Sequence, residues 1–427
     1  MEDQDYWRRI REDGVQSLAA SLTARQTEEL VDCWCTHNYH PLPVTIARAE
    51  GAWCFDPDGR AYIDCIGAYS AVAHGHLSPF LVETARRQLD VCALTSRAVY
   101  SPELALFLEG LCRFTECDMA CPMNTGAEAV ETAIKLARKW AYTRKGVPDD
   151  QAQIIVANGN FHGRTTTIVG FSSEATYKRH FGPFTPGFVS VSFGEIEAIE
   201  AAITPNTAAI LLEPIQAEAG ILIPPAGYMA AVRKLCTERN VLLIWDEIQT
   251  GFGRTGKDFA WRHEDARPDL ICLGKALGGG ILPVSAVAGK RNVMEVFQPG
   301  DHGSTFGGNP LACAVGLAAL AEMRVLGLPE RSHILGERLK NGLEALEHPS
   351  VLEVRGRGLL VGLEVVEGTE TTVLTQAFLD TGILTKETRN RTFRFAPPLT
   401  IDEALVDEIV QRVRLALDAA DVHRTRV

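Results

Sequence analysis

A chain of 427 residues can bury more than one core, and 46% hydrophobic with 22% charged residues and no low-complexity tract is the composition of a folded soluble protein. Forty-two basic against 54 acidic side chains give a formal charge of -12, which repels phosphate backbones and argues against a nucleic-acid partner. No apolar run is long enough to span a bilayer, MEDQDYWRRIREDG is too charged for a signal peptide, and eleven scattered cysteines suit free thiols, so a cytoplasmic setting is expected.

In chain order, residues 1 to about 40 read as a polar helical lead-in stopped by the prolines of HNYHPLPV. GAWCFDPDGRAYID reads as two short strands around a DPDG turn. Beyond residue 100, helical stretches alternate with the apolar strands 154–157, 208–214, 241–247 and 269–274, the pattern of a mostly parallel sheet covered on both faces. After HGSTFGGNP, a long Ala/Leu-rich helix leads to RGRGLLVGLEV and a final amphipathic helix around 401–418, a smaller α+β unit. The expected division is an N-terminal segment 1–65 joining that small unit, a large domain 66–318, and a C-terminal small domain 319–427.

In such sheets ligands sit beyond the carboxyl ends of the strands. Glu213 follows AAILL, Asp246 and Glu247 follow VLLIW, and Lys275 follows DLICLG. One strand-end carboxylate often does no more than cap the next helix, but three ends with complementary charge point to a shared cleft. Lys275 sits inside an apolar, glycine-rich run, where an ammonium must reach water, pair, or lose its charge. A neutral lysine is a nucleophile whose commonest covalent use is a Schiff base with a carbonyl.

PMNTGAEAVETAIKLARKWAY adds an anion site. Thr125 and Glu128 form a capping box, and the amides of Gly126 and Ala127 are left free at the helix N-terminus, where the dipole favours negative charge. GFGRTGKD matches a P-loop spacing only until Asp258 replaces the Ser or Thr that would hold magnesium, so a plain glycine-rich loop accounts for it better. Arg164 and Arg394, each beside aromatic residues, are candidate carboxylate clamps, with a surface or interface ion pair as the plainer reading. Neither Cys33 with Cys35 nor Cys112, Cys117 and Cys121 has a zinc spacing with partner ligands, and no metal is expected.

Taken together, NTGAEAVETAIKLARKW, FHGRT, EPIQAEAG, WDEIQTGFGRTG, LGKALGGG and HGSTFGGNP resemble the class III aminotransferases, pyridoxal phosphate enzymes of fold type I. HNYHPLPV, AYSAV, TSRAVY, FGPFTPGF and RFAPPL resemble the ornithine aminotransferase branch, and the likeness runs from about residue 35 to 418. It implies an α/β fold with a mostly parallel central sheet covered by helices, plus a smaller α+β domain from the two chain ends. It further implies a homodimer with shared active sites, acting on small amino acids and oxo acids. Lys275 would bond pyridoxal 5'-phosphate as a Schiff base and move the proton, and Asp246 would pair with the pyridine nitrogen. Gly126 and Ala127 would hold the phosphate, with Ser304 and Thr305 reaching it from the neighbouring subunit. Phe161 would stack on the ring, Gln249 would contact its phenolic oxygen, and His162 and Glu213 would lie beside it. For substrate, the resemblance implies Arg164 with Tyr39 for one carboxylate and Arg394, masked by Glu218, for the other, with Tyr69 lining the pocket.

The implied reaction transfers an amino group from ornithine or a related ω-amino acid to 2-oxoglutarate through a pyridoxamine form of the cofactor. The chain departs from that branch at Ala73 and His74, at His162 in place of tryptophan, at Ala217 and at Trp245. His162 and His74, as extra acid–base groups, motivate an alternative: racemisation, elimination or replacement, or carbon–carbon bond formation on the same scaffold. A non-catalytic binding protein is a second alternative, opposed by the presence of Lys275 and Asp246.

Overall fold

The computed structural model describes residues 3–424. Its centre is a seven-stranded sheet in the order Met119–Met123, Ser285–Gly289, Leu270–Leu273, Leu242–Asp246, Thr207–Leu212, Gln153–Ala157, Phe188–Val191. All pairings from 270–273 outward to 188–191 are parallel, and Ser285–Gly289 alone runs against its two neighbours. Leu242–Asp246 and Thr207–Leu212 are buried along their whole length, as strands with helices on both faces must be. The four apolar runs seen in the sequence are therefore strands, each within a residue or two of the expected bounds.

Three strands of this sheet were not foreseen, Phe188–Val191 at one edge and two at the other. Met119–Met123 carries Pro122 and Ser285–Gly289 is Ala- and Gly-rich, so neither has the β-branched signature of a strand. Position in the sheet decides them: 285–289 is held on both sides by ladders, and Pro122 sits on the edge strand, where a missing N–H is tolerated.

Two four-stranded sheets flank this centre. Trp53–Phe55 and Ala61–Asp64 form the expected hairpin, closed by Asp56 Oδ1, which accepts from the amides of Asp58 and Arg60. Ala61–Asp64 pairs in parallel with Ile383–Leu384, so the two chain ends share a sheet. The second, Val351–Arg357, Leu360–Val365, Thr392–Phe395 and Lys386–Thr388, carries Arg394. The lead-in is helical over Asp3–Asp13, Val15–Ala20 and Ala24–Trp34, and the last helix runs Glu403–Arg424. No single described helix is long and apolar enough to cross a membrane.

One turn departs from ordinary geometry. Gly67, Ala68, Tyr69 and Ser70 have φ of 54°, 45°, 58° and 76°, a left-handed turn in which each non-glycine residue costs about 1–2 kcal/mol. Asp64 holds it, with Oδ1 accepting from the amides of Ile66 and Gly67 while Oδ2 accepts from His76 Nε2 at 2.8 Å. Cys54 Sγ lies 3.6 Å from the same nitrogen. The turn's effect is to aim Tyr69 at the Arg394 guanidinium, which lies 4.9 Å from its ring centroid.

Candidate active site

At the carboxyl ends of the parallel strands lies a cavity of about 210 Å³ bordered by Gly126, Ala127, Phe161, His162, Glu213, Asp246, Gln249 and Lys275, with Gly163, Ile215, Ile248 and Thr250 completing its wall. Lys275 follows strand 270–273 with φ 46°, a strained backbone for a lysine and one that directs its side chain back over the sheet. Its Nζ donates to Gln249 Oε1 at 2.7 Å. Burial lowers its pKa below the usual 10.5 although Glu218 and Asp246 pull the other way, so the neutral amine becomes more accessible.

The helix Gly126–Trp140 starts at this cavity for the reason expected. Thr125 Oγ1 accepts from Glu128 N, Glu128 Oε2 accepts from Thr125 N at 2.7 Å, and the helix buries Val130, Ile134 and Ala137 against the sheet. Ser285 Oγ donates to Thr125 O at 2.7 Å, tying the helix start to the antiparallel strand. A Cβ at Gly126 would stand 3.0 Å from Ile248 Cδ1, and one at Gly163 would stand 2.9 Å from Ala127 Cβ. Glycine at both places lets the backbone and the FHG turn close over the free amides.

Asp246 is fixed from two sides. Its Oδ1 accepts from Ile248 N at 3.1 Å, and its Oδ2 accepts from His162 Nδ1 at 2.6 Å. Burial works against a charged His162, yet the bond to Asp246 and that carboxylate's charge raise its pKa above 6.5. Glu213 is pushed up to about 8, mainly by burial, with His162 opposing and Asp246 adding to the rise, which favours its neutral form. It accepts from Phe161 N at 3.0 Å and so anchors that aromatic residue at the cavity wall.

These groups fit pyridoxal phosphate. Free helix-terminal amides suit a dianionic phosphate, and Ile248, Ile215 and Phe161 offer apolar surface for a ring. Each Asp246 oxygen has a lone pair left for a pyridinium N–H. Gln249 lies on the cavity wall, where its amide helps to hold the neighbouring Glu218 carboxyl below 4.5, and its two N–H groups leave one for an acceptor such as a ring oxygen.

Of the candidate substrate residues, Arg394 is 3% exposed and donates through Nη1 to Glu218 Oε1 at 2.6 Å. Burial alone would raise the Glu218 carboxyl, but Arg394 and then Lys275 hold it below 4.5, so the bridge is ionised. Tyr69 stacks on Arg394, and Tyr39, 70% exposed, lies near Tyr69. Arg164 is exposed and, among the described residues, has no carboxylate partner; its guanidinium lies over the Tyr177 ring at 3.6 Å. One clamp is therefore masked and the other open.

Ser304 and Thr305 are not on the cavity wall. Ser304 Oγ accepts from Asn124 Nδ2 at 2.9 Å, and Thr305 faces solvent. The two histidines offered as extra acid–base groups are committed elsewhere. His74 is buried against the helix Pro310–Val325, with Nε2 donating to Ala319 O at 3.0 Å and a pKa lowered by burial to about 4. His162 spends Nδ1 on Asp246, and its Nε2 is buried without a partner. The substrate-facing acid–base role imagined for both is thus not what the fold gives them.

Sequence reasoning missed two residues. Tyr177 lies thirteen positions from Arg164 in the short helical turn Ala175–Lys178, and nothing in its local sequence marks it. Arg254, inside the glycine-rich loop, is buried with Nη1 donating to Leu359 O and Pro397 O at 2.9 and 2.6 Å. That loop stitches the large sheet to the segment after Arg394, which accounts for its P-loop-like spacing.

Residues 34–417 match the class-III aminotransferase family model. The chain is 50% identical over 401 residues to the ornithine aminotransferase of Brevibacillus brevis, covering 94% of this chain and 99% of that one. It is 50% identical over 394 residues to the ornithine aminotransferase of an Exiguobacterium, covering 92% and 98%. The solved ornithine aminotransferase of Toxoplasma gondii superposes with a TM-score of 0.93 at 37% identity, covering 99% of this chain and all of that one. A second Toxoplasma structure, crystallised with oxidised glutathione, holds the cofactor PLP at partial occupancy in its active site. The acetylornithine aminotransferase of Elizabethkingia anophelis follows with a TM-score of 0.85 at 40% identity, covering 93% and 99%.

Proposed function

The chain belongs to the class-III aminotransferases, and from that premise we propose that it moves the distal amino group of ornithine to 2-oxoglutarate with pyridoxal phosphate as cofactor. The observation that carries the reading is the pairing of an open Arg164 with an Arg394 neutralised by Glu218. Ornithine brings one carboxylate to the pocket and presents its far amine, so it needs one clamp and is repelled by none. Glutamate, which presents its α-amine, needs both clamps, and the Glu218 bridge must break to supply the second.

Gly126, Ala127 and Phe161 would hold the cofactor, Gln249 would face its phenolic oxygen, and Asp246 would keep a proton on its ring nitrogen. When bound, the cofactor supplies an electron sink for the carbon that loses its proton. Lys275 moves that proton: burial lowers its pKa and so favours the free base, and its position at a strand end holds it beside the ring site. His162 orients the Asp246 carboxylate, and Ile215, Ile248 and Phe161 exclude water from the floor of the site.

We further infer a homodimer in which Ser304 and Thr305 serve the neighbouring subunit's phosphate site. Both stand outside their own chain's cavity, and the next residue, Phe306, is an exposed aromatic side chain. The domain division at about residues 65 and 318 is part of the same reading, supported by the sheet that residues 61–64 share with 383–384.

The test is an assay of purified holoenzyme with L-ornithine and 2-oxoglutarate. Over many turnovers glutamate and the cyclised semialdehyde should form in equal amounts, and without the oxo acid conversion should stop at one equivalent per active site. Conversion of ornithine through many turnovers in the absence of any oxo acid would contradict the reading and favour the non-transamination chemistry.

A further inference from the structure

Arg164 has a built platform that the reaction as so far described does not use. Its guanidinium lies 3.6 Å from the centroid of the Tyr177 ring and 5.3 Å from that of Phe161. The two rings meet edge to face with centroids 6.3 Å apart. Tyr177 is carried on the short helical turn Ala175–Lys178, and the chain leading into it is tied down at several points. Ser173 Oγ accepts from Gly159 N at 2.8 Å, and Ser172 Oγ accepts from Glu174 N at 3.1 Å. Arg389 Nη1 pairs with Glu174 Oε1 at 2.8 Å, and its guanidinium lies 5.5 Å from the Tyr177 ring. Arg389 stands five residues before Arg394, so the segment is pinned by the turn that precedes the second clamp.

An arginine without a carboxylate partner at a solvent-facing position has many rotamers, and ordering it when substrate arrives costs free energy. A guanidinium lying on an aromatic face keeps its N–H edge free while losing most of that freedom in advance, because the ring attracts the cation without consuming a hydrogen bond.

We propose that Tyr177 is the positioning residue that presets Arg164 for the substrate carboxylate, and thereby sets the enzyme's preference for amines that carry one. The proposal rests on the reading of Arg164 as the open clamp. Phe161 lines the cavity, whereas Tyr177 is not on its wall and meets Arg164 more closely than Phe161 does, so Tyr177 is the ring placed to act on the clamp. Arg389 and Glu174 hold the platform in place.

The experiment uses holoenzyme with two donors, L-ornithine and the diamine that differs from it only in lacking the carboxylate. Arg164→Ala should abolish the preference between them; if it does not, the clamp reading fails before the question of Tyr177 arises. With that established, Tyr177→Ala should raise KM for L-ornithine about tenfold with kcat kept within about twofold, and move KM for the diamine far less. Tyr177→Phe should restore KM, because the ring and not the hydroxyl carries the effect. Equal losses for both donors in Tyr177→Ala would reduce Tyr177 to a packing residue and overturn the proposal. A fall in KM for L-ornithine would also overturn it, by showing that the ring parks Arg164 away from substrate. Failure of Tyr177→Phe to rescue would assign the effect to the hydroxyl and overturn it as well.

Discussion

At the Asp246 end of the cavity the polar groups are tied to backbone that the seven-stranded sheet fixes: Asp246 to Ile248 N, Glu213 to Phe161 N, Thr125 to Glu128 N and Ser285 Oγ. At the Arg394 end they come from a second sheet, a left-handed turn and loops, and meet side chain to side chain, Arg394 on Glu218 and Arg164 on Tyr177. A group held by backbone keeps its place whatever the substrate. Side chains held by one another can be exchanged for a substrate's carboxylate at little cost. The difference teaches that a site can keep its cofactor chemistry constant while its substrate end alternates between two partners of unlike charge.

The sharpest way to break the fixed end is Lys275→Ala. Turnover should fall by at least about 10⁴-fold, with loss of the visible absorbance of the lysine-bound cofactor and a retained far-ultraviolet spectrum. Asp246→Asn should follow, lowering kcat by about 10²–10³-fold and weakening cofactor retention on dialysis, since a neutral amide cannot hold the ring proton.

The exchangeable end is broken by Glu218→Gln, which leaves Arg394 charged and unpartnered. KM for L-ornithine should rise about tenfold while turnover with L-glutamate persists, a change of selectivity that steady-state kinetics with each donor measures. The same variant should lose about 1–3 kcal/mol of stability near neutral pH by denaturant melts. Because the Glu218 carboxyl is held below 4.5 in the folded chain, the bridge contributes above that value and its contribution disappears as pH falls through the lowered one. The difference between wild type and variant should therefore shrink on acidification.

Two smaller effects sharpen the contrast on the fixed side. His162 has a raised pKa, so its pairing with Asp246 stabilises fully below 6.5 and is lost as pH rises through the raised value. His162→Gln should flatten that alkaline decline in a plot of Tm against pH. Thr125→Ala removes a cap and should cost about 1 kcal/mol, read as a fall in Tm with KM for ornithine unchanged.

The fixed end was also the legible end. Lys275, Asp246 and Glu213 each stand where an apolar strand stops, and Thr125 with Glu128 announces a helix start within four residues, so local pattern was enough to place them around one site. The edge strand with Pro122 and the Ala-rich strand 285–289 escaped because neighbours, not propensity, make them strands. At the exchangeable end, Arg164 and Arg394 were visible as candidates only through their residue types. Their state, one masked and one open, depends on Glu218, 176 positions from Arg394, and on Tyr177 in a segment without regular pattern. The reassignment of His162 has the same origin, for its partner Asp246 is 84 positions away.

The central claim is that the open Arg164 takes the single carboxylate and so presents the distal amine. It is tested most directly by supplying L-ornithine carrying a heavy-nitrogen label at the distal amine alone, with 2-oxoglutarate, and weighing the glutamate formed by mass spectrometry. The account predicts that all of the new glutamate carries the label; unlabelled glutamate, drawn from the α-amine, would contradict it.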